Sequence, residues 1–515
     1  MDKESTQHYD LLVIGGGVNG TGIASDASGR GLKVLLCEQN DLASATSSNS
    51  SKLIHGGLRY LEHYEFKLVK EALREREVLL ANAPHIMSPL RFVLPYRTRL
   101  RSYWTLHAGL FLYDHLAKRS TLAPSKRIRF DVDSPLQSDI KKGFEYSDGW
   151  VDDARLVIFN ALAAKQNGAS ILTQTKCQRV HRNGKTWEAQ LCSSLTEKKE
   201  VTKVTAKAVV NAAGPWVTSI FDEILKIEAP QKVRLVKGSH IIVPKFHDWP
   251  QAFILQNHDG RIVFVLPYED EFSLIGTTDV EFKGDPACVR IEQQEIDYLL
   301  SITNTYFKNK ITEKDILHTF SGVRPLLDDD SQAPQVITRD YKLELQTDNG
   351  VLPLLSVFGG KITTYRTLAE TAVNELSQFF PTIKPPWTKH KKLPGGEFES
   401  LPLLQQTLNL EYDFLTESML KRFVRNYGIF ATKFLQSRTS LTDLGLHFGH
   451  GLYEVEVLYL IDEEWASCAD DILWRRTKLG LRFSEQQKTR LDNFISEHIA
   501  CSDKDVSKPA SNESI

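Results

Sequence analysis

Gly15, Gly17 and Gly20 stand at GxGxxG spacing within "YDLLVIGGGVNGTGIASDASGRGLKVLLCE", residues 9–38. That spacing suits a dinucleotide. The first Gly permits a tight turn, the second lets a pyrophosphate approach the backbone, and the third lets helix pack on strand. Leu11–Ile14 is a continuous apolar run, as a strand buried on both faces requires. "LKVLLCE" supplies a second strand ending in Glu38, 18 residues past Gly20. A carboxylate there accepts hydrogen bonds from ribose hydroxyls and repels a 2′-phosphate, which disfavours NADP. The intervening helix start turns free N–H groups, including those near Asn19, toward the phosphates. The glycines alone do not choose between NAD and FAD.

Three distant segments add to the same site. "AKAVVNAAGPWV" (206–217) is an apolar strand ending in Ala212-Ala213-Gly214, small residues beside which a cofactor fits. "GASILTQTKCQRV" (168–180) reads as a preceding strand and turn that brings Cys177 near an adenine end. "LLSVFGGKITTYRTLAETAVNELSQF" (354–379) reads as strand, Gly359-Gly360 turn and amphipathic helix, with Lys361, Thr363 and Thr364 in its first turn. Unpaired N–H groups at such a helix start suit the negative charge of a reduced flavin. Read alone, each segment is a core strand or a capped helix. In series after the GxGxxG–Glu unit they favour a flavin.

Between them lie "VKGSHIIVP" (236–244), "RIVFVLPYEDEFSLIGTTDVEF" (261–282) and "SGVRPLLDDD" (321–330). Residues 261–268 and 272–279 flank "EDE" as a hairpin. An antiparallel sheet inserted into the nucleotide domain and roofing the cofactor follows. Gly238–His240, Thr277-Thr278-Asp279 and Arg324-Pro325 stand at its strand ends, facing a pocket. "SSNSSKLIHGGLRY" (47–60) reads from its residues as a turn and cap, followed by a helix over "LRYLEHYEFKLVKEALREREVLL" (58–80).

At 515 residues the chain predicts two or three domains. Hydrophobic residues at 41% and charged residues at 25% exclude extended disorder, and a net charge of −2 gives no pull toward nucleic acid. Six cysteines without CxxC fit a reducing compartment and argue against a disulfide framework; no metal is expected. "MDKESTQHYD" is neither a secretory signal nor a transit peptide, and no apolar run of about 18 residues predicts a membrane span. Residues 90–130 nevertheless hold nine Lys/Arg against one acid, with seven interleaved aromatics. Such a surface suits anionic lipid, although composition fits a solvated basic face equally well. "IKPPWTKHKKLPGGEFES" (383–400) reads as a linker before a mostly helical end.

The motifs "IGGGVNGTGIASDASGRG", "SSKLIHGGLRYLEHYEF", "FEYSDGWVDDARLV", "NAAGPWV", "KGSHIIVP", "FVLPYEDEFSLIGTTDVEFKGDP", "SGVRPL" and "SVFGGKITTYR" together resemble the FAD-dependent glycerol-3-phosphate dehydrogenases, in the aerobic respiratory bacterial form. The resemblance covers nearly the whole chain. It implies an α/β fold: a Rossmann-like FAD domain of the glutathione-reductase/amino-acid-oxidase type, an inserted antiparallel β-sheet substrate domain and a C-terminal helical cap. The divisions read as FAD-binding segments 8–85, 148–235 and 326–385, a substrate- and membrane-facing insertion 86–147, and a substrate-binding sheet 236–325. A helical domain 391–500 and a disordered tail 501–515 complete them. The resemblance also implies non-covalent FAD, sn-glycerol 3-phosphate as substrate, ubiquinone as acceptor and a homodimer. It places the enzyme peripherally, or monotopically, on the cytoplasmic face of the cytoplasmic membrane.

A dianionic phosphate and a secondary alcohol call for several cations and a base. Arg59, Arg324, Arg339 and Lys361, each in a matching motif, are the candidate cations, and Tyr60 adds a hydroxyl. His240 in "KGSH" is the candidate base, with Arg324 beside it; His55 is a rival, read as a flavin contact. Thr46, Ser47, Ser51 and Lys52, with Leu53 and His55, are read as donors to the cofactor. An oxidase passing electrons to O₂ and a non-catalytic flavin sensor are the competing readings; convergence of Arg59, His240 and Arg324 disfavours the sensor.

Overall fold

The structure is a computed structural model that describes residues 7–98, 102–194, 201–328 and 340–506. They fall into two compact units dividing at Leu393/Pro394.

The first unit carries two sheets. One has the strand order Tyr341–Asp348, Val351–Gly359, Val201–Asn211, Gln7–Ile14, Val34–Cys37, Ser170–Leu172, with two further strands (Thr175–Asn183, Thr186–Ser193) branching from Val201–Asn211. Its centre is parallel: Leu12 pairs with Val209 and Leu35, and Val210 with Leu355. Those positions are buried, which explains the apolar runs at residues 11–14, 34–37 and 208–210. Adjacent strands here come from distant sequence: Leu12 and Val209 lie 197 residues apart, and Val210 and Leu355 lie 145 apart. Helix Val18–Gly29 packs between the helices Asp153–Gln166 and Tyr365–Leu376 on one face. The Asp152 carboxylate caps the first of those two neighbours by accepting the Arg155 N–H at 3.1 Å.

The second sheet has ten strands and is antiparallel except where Ala252–Gln256 meets Met87–Pro95. It is wider than the inserted sheet read from sequence. Met87–Pro95, Lys126–Arg129 and Lys142–Val151 join it, and so does Leu53–Ile54 from the Ser/Gly segment. Its hairpin of Ile262–Tyr268 and Phe272–Gly276 is as expected. The helix predicted from residue 58 starts later. Residues Leu58–His63 form a 3₁₀ turn that ends at Tyr64 (φ 59°), and the α-helix spans Phe66–Asn82. A left-handed Tyr64 ends the helical run, and periodicity does not register one such residue.

The second unit is helical: Leu401–Glu411, Glu417–Tyr427, Ala431–Leu435, Glu454–Asp462 and Glu485–Val506, with a small two-stranded ribbon. Its core includes Leu408, Phe423, Tyr427, Leu435, Leu460 and Leu491. The last helix continues through 501–506, where composition predicted a tail, because nothing in "CSDKDV" breaks an established helix. Residues 507–515 lie outside the described ones. No described helix is long and apolar enough to cross a membrane.

Candidate active site

A cavity of about 880 Å³ runs between the two sheets of the first unit. Its wall begins at the carboxyl end of the parallel strands, where α/β sheets bind ligands. Gly15 has φ 113°, and a Cβ there would lie 2.5 Å from the Ala212 carbonyl oxygen. Gly17 caps the helix Val18–Gly29, whose first turn holds no acid and so keeps its positive end for an anion. Gly20 does not reach the cavity. A Cβ on it would meet the Gly15 oxygen at 1.9 Å, so its role is helix-to-strand packing.

Glu38 accepts the Gly16 N–H at 2.7 Å and the Asn40 N–H at 2.9 Å, and lines the cavity with Cys177, Ala213, Gly214 and Trp216. Burial pushes its carboxyl above the usual range, partly countered by those N–H donors. Asn19 donates to the Gly359 carbonyl at 3.4 Å, tying the first helix to the last parallel strand. Its Oδ1 is buried on the cavity wall without a hydrogen-bond partner among the described residues. A glycine cradle, a helix N-terminus, a carboxylate past the second strand and an orphaned amide oxygen together fit FAD.

The Ser/Gly segment divides its tasks. Ser47 Oγ accepts the Val18 N–H at 3.0 Å, and the Thr46 hydroxyl donates to the Val323 carbonyl at 2.6 Å; both line the cavity. Lys52 does not act as a cofactor donor. Its ammonium, 3% exposed, is committed to Asp153 at 2.7 Å and to the Ser48 carbonyl at 3.0 Å. A buried ammonium is held by a carboxylate when one is near, and Asp153 stands a hundred residues away in sequence. Ser50 donates to the same carboxylate at 2.7 Å. Leu53 and His55 line the cavity, the His55 ring edge-on to Phe264 at 6.3 Å. The Gly56 N–H donates to the Tyr113 hydroxyl at 2.8 Å; that hydroxyl bonds Asp148 at 2.7 Å, and Asp148 pairs with buried Arg76 at 2.6 Å.

Arg59, Tyr60, Arg324 and Lys361 line the same cavity, with Gly359 and Thr363. The Lys361 ammonium lies 4.2 Å above the Tyr60 ring. Arg324 donates to Asp279 at 2.7 Å and to Thr277 at 3.1 Å, which aims its guanidinium. Thr364 is buried at the N-cap of Tyr365–Leu376 and is not in the wall. Arg339 lies outside the described residues.

His240 is buried and set back from the wall, its Nε2 2.9 Å from Ser51 Oγ, which does line the cavity. Desolvation, with Arg324 and Lys52 nearby, holds its imidazole neutral well below the usual range. Behind it the "KGSH" lysine is structural. Lys237, 1% exposed, pairs with Glu295 at 2.8 Å, and Ser239 and Thr278 donate to the same carboxylate. The sequence reading missed Asp153, Asp148 and Tyr113. The first two sit in "FEYSDGWVDDARLV", where acids flanking an apolar run were the available signal.

The chain matches the family of FAD dependent oxidoreductases over residues 10–366, and the C-terminal domain of alpha-glycerophosphate oxidase over residues 386–497. It is 54% identical to a glycerol-3-phosphate dehydrogenase of Pseudomonas aeruginosa, over 95% of this chain and 96% of that one. It is 53% identical to the aerobic glycerol-3-phosphate dehydrogenase of Escherichia coli K12, over 95% and 97%. The crystal structure of the Bacillus halodurans glycerol-3-phosphate dehydrogenase complexed with FAD superposes with a TM-score of 0.72 at 26% identity, covering 96% of this chain and 95% of that one. With the cavity's fit to FAD, the chain belongs to the FAD-dependent oxidoreductases and, among them, to the bacterial glycerol-3-phosphate dehydrogenases.

Proposed function

We propose that the protein oxidises sn-glycerol 3-phosphate at C2 to dihydroxyacetone phosphate. The electrons pass to ubiquinone, from a peripheral position on the cytoplasmic face of the cytoplasmic membrane. The observation that carries the catalytic reading is the gathering of Arg59, Tyr60, Arg324 and Lys361 around one cavity that also fits a dinucleotide. A dianionic phosphate is matched by that many donors, with arginine offering two at once. Bound FAD supplies the hydride acceptor. Arg324, aimed by Asp279, and Lys361, set against Tyr60, hold the phosphate and favour alkoxide character at O2. His240 is the terminal base.

The membrane reading is supported by helix Tyr103–His115. Its outer face exposes Trp104 (68%), Ala108 and Phe111 (62%), while its inner face buries Leu106, Leu110 and Tyr113. Lys118, Arg127 and Arg129 are exposed nearby in sequence, and Arg127 lies 5.5 Å from the Trp104 ring. The basic run is less cationic than its composition. Arg91 and Lys126 pair with Glu145, Arg119 with Asp114, and Arg97 with Asp139. Aromatic insertion therefore carries more of the reading than charge.

Anaerobic addition of glycerol 3-phosphate to the purified yellow protein tests the function. The flavin bleaches, and ubiquinone in vesicles restores the colour faster than air. An unbleached flavin overturns the substrate; faster recovery in air favours the oxidase reading.

A further inference from the structure

We propose that the Ser51 hydroxyl relays the substrate's O2 proton to His240, so that Ser51 is itself a catalytic residue. The inference rests on the reading of His240 as the base. His240 is 1% exposed, its ring stacked on Phe320 at 4.7 Å and 15°. On its other side a Cβ at Gly276 would lie 2.1 Å from Cδ2, so no room remains there. Nδ1 has no hydrogen-bond partner among the described residues, and Nε2 meets Ser51 Oγ at 2.9 Å. Ser51 lines the cavity and His240 does not. A proton leaving the cavity for this imidazole therefore crosses the serine.

Ser51 is fixed for the task on both sides. Ser50 and Lys52 are each bound to Asp153 at 2.7 Å, and Lys52 holds φ 57°. With its proton on Nδ1, His240 presents the Nε2 lone pair to the Ser51 hydroxyl. During oxidation the C2–H bond gives its electron pair to the bound flavin, and C2–O2 becomes a carbonyl. The O2 proton passes to Ser51 Oγ as the Ser51 proton passes to Nε2. The hydroxyl is regenerated and one imidazolium forms. Substrate tunes the base: burial chiefly keeps the imidazole neutral, and a phosphate on Arg324 counters one of the two cationic fields that add to it.

The test uses the full-length FAD-loaded protein and anaerobic stopped-flow reduction by glycerol 3-phosphate. Ser51→Ala slows flavin reduction by about 100-fold or more. FAD content and dihydroxyacetone phosphate affinity hold near wild type, and Ser51→Thr recovers to within about tenfold. Adding His240→Gln to Ser51→Ala slows it further by less than about threefold, because the two act as a unit. ¹⁵N NMR of the imidazole, independent of turnover, shows Nε2 as acceptor in wild type and a shifted Nε2 in Ser51→Ala. A fast Ser51→Ala beside a slow His240→Gln overturns the relay and leaves the base standing. Wild-type rates in both overturn the reading of His240 as base. A slow Ser51→Ala explained wholly by lost product affinity, or an Nε2-protonated imidazole in wild type, also overturns the relay.

Discussion

The Arg324 side chain reaches diagonally across neighbouring antiparallel strands to Gly238, so closely that a Cβ on Gly238 would lie 2.5 Å from Nη2 of Arg324. The same Cβ would lie 2.6 Å from the Thr277 hydroxyl oxygen that helps aim that guanidinium. The second residue of "KGSH" is thus a space reserved for an arginine 86 residues away in sequence. Gly238→Ala is expected to displace Arg324 and weaken its charged hydrogen bonds, each worth about 1.5–3 kcal/mol. Steady-state kinetics should show kcat/KM for glycerol 3-phosphate falling about 10- to 100-fold, with flavin content unchanged. An unaltered kcat/KM would show that Arg324 does not hold the phosphate.

Lys237 and Glu295 form a buried pair behind the same strand. Replacing Glu295 by Ala leaves a buried ammonium whose other carboxylate, Glu292, is largely exposed. The expected loss is on the order of 3 kcal/mol, read by chemical denaturation. Burial raises the Glu295 carboxyl, but donors from Lys237, Thr278 and Ser239 outweigh it and leave it below its ordinary value of 4.5. A depressed carboxyl adds stability that is complete above that value and is lost as pH falls below it. Wild type should therefore lose stability below about pH 4.5 more steeply than Glu295→Gln.

Tyr113 carries a buried chain from Arg76 and Asp148 to the Gly56 N–H. Tyr113→Phe leaves that N–H only a long 3.4 Å approach to Asp148, at an expected cost of about 1–2 kcal/mol. Asp148→Leu should cost more, about 3 kcal/mol, because it removes the close partner of the buried Arg76 cation and leaves it only the longer 3.5 Å pair with Glu77. Thermal denaturation of the FAD-loaded protein checks the ranking. Equal losses would mean that the ion pair adds nothing beyond the hydroxyl's bonds.

These cases show what sequence could and could not disclose. The parallel strands were legible because burial on both faces forces apolar runs, and Gly15 and Glu38 because a phosphate and a ribose demand fixed residue types at fixed spacing. Lys52 misled for a physical reason. Beside a Ser/Gly turn a lysine suggests an anion ligand, yet its partner Asp153 becomes a neighbour only when a helix N-terminus folds onto the turn. His240 stands out by type, but its setback behind Ser51 depends on which side of the strand the imidazole takes, and on packing against Phe320. The breadth of the second sheet was hidden because Leu53–Ile54 is too short to show alternation.

Trp104 and Phe111 lie one and a half to two helical turns apart on the exposed face of Tyr103–His115. Burying such a side chain in an interface gains about 1.5–3 kcal/mol. Trp104→Ser and Phe111→Ser should each reduce partition onto anionic vesicles by about tenfold or more, while leaving anaerobic flavin reduction intact. Sedimentation of the protein with vesicles measures it. Unchanged partition would move the contact elsewhere on the surface.

The interleaving of Gln7–Ile14, Val201–Asn211 and Val351–Gly359 in one sheet has a consequence during synthesis. The glycine turn leaves the ribosome first, yet the strand and helix that close the opposite wall, ending at Leu376, emerge only near the end of the first unit. At about 5–20 residues per second the nascent chain waits about 20 to 75 s before a flavin can be enclosed. Truncated chains ending before Val351 should therefore fail to retain FAD, and cofactor loading is tied to completion of the first unit.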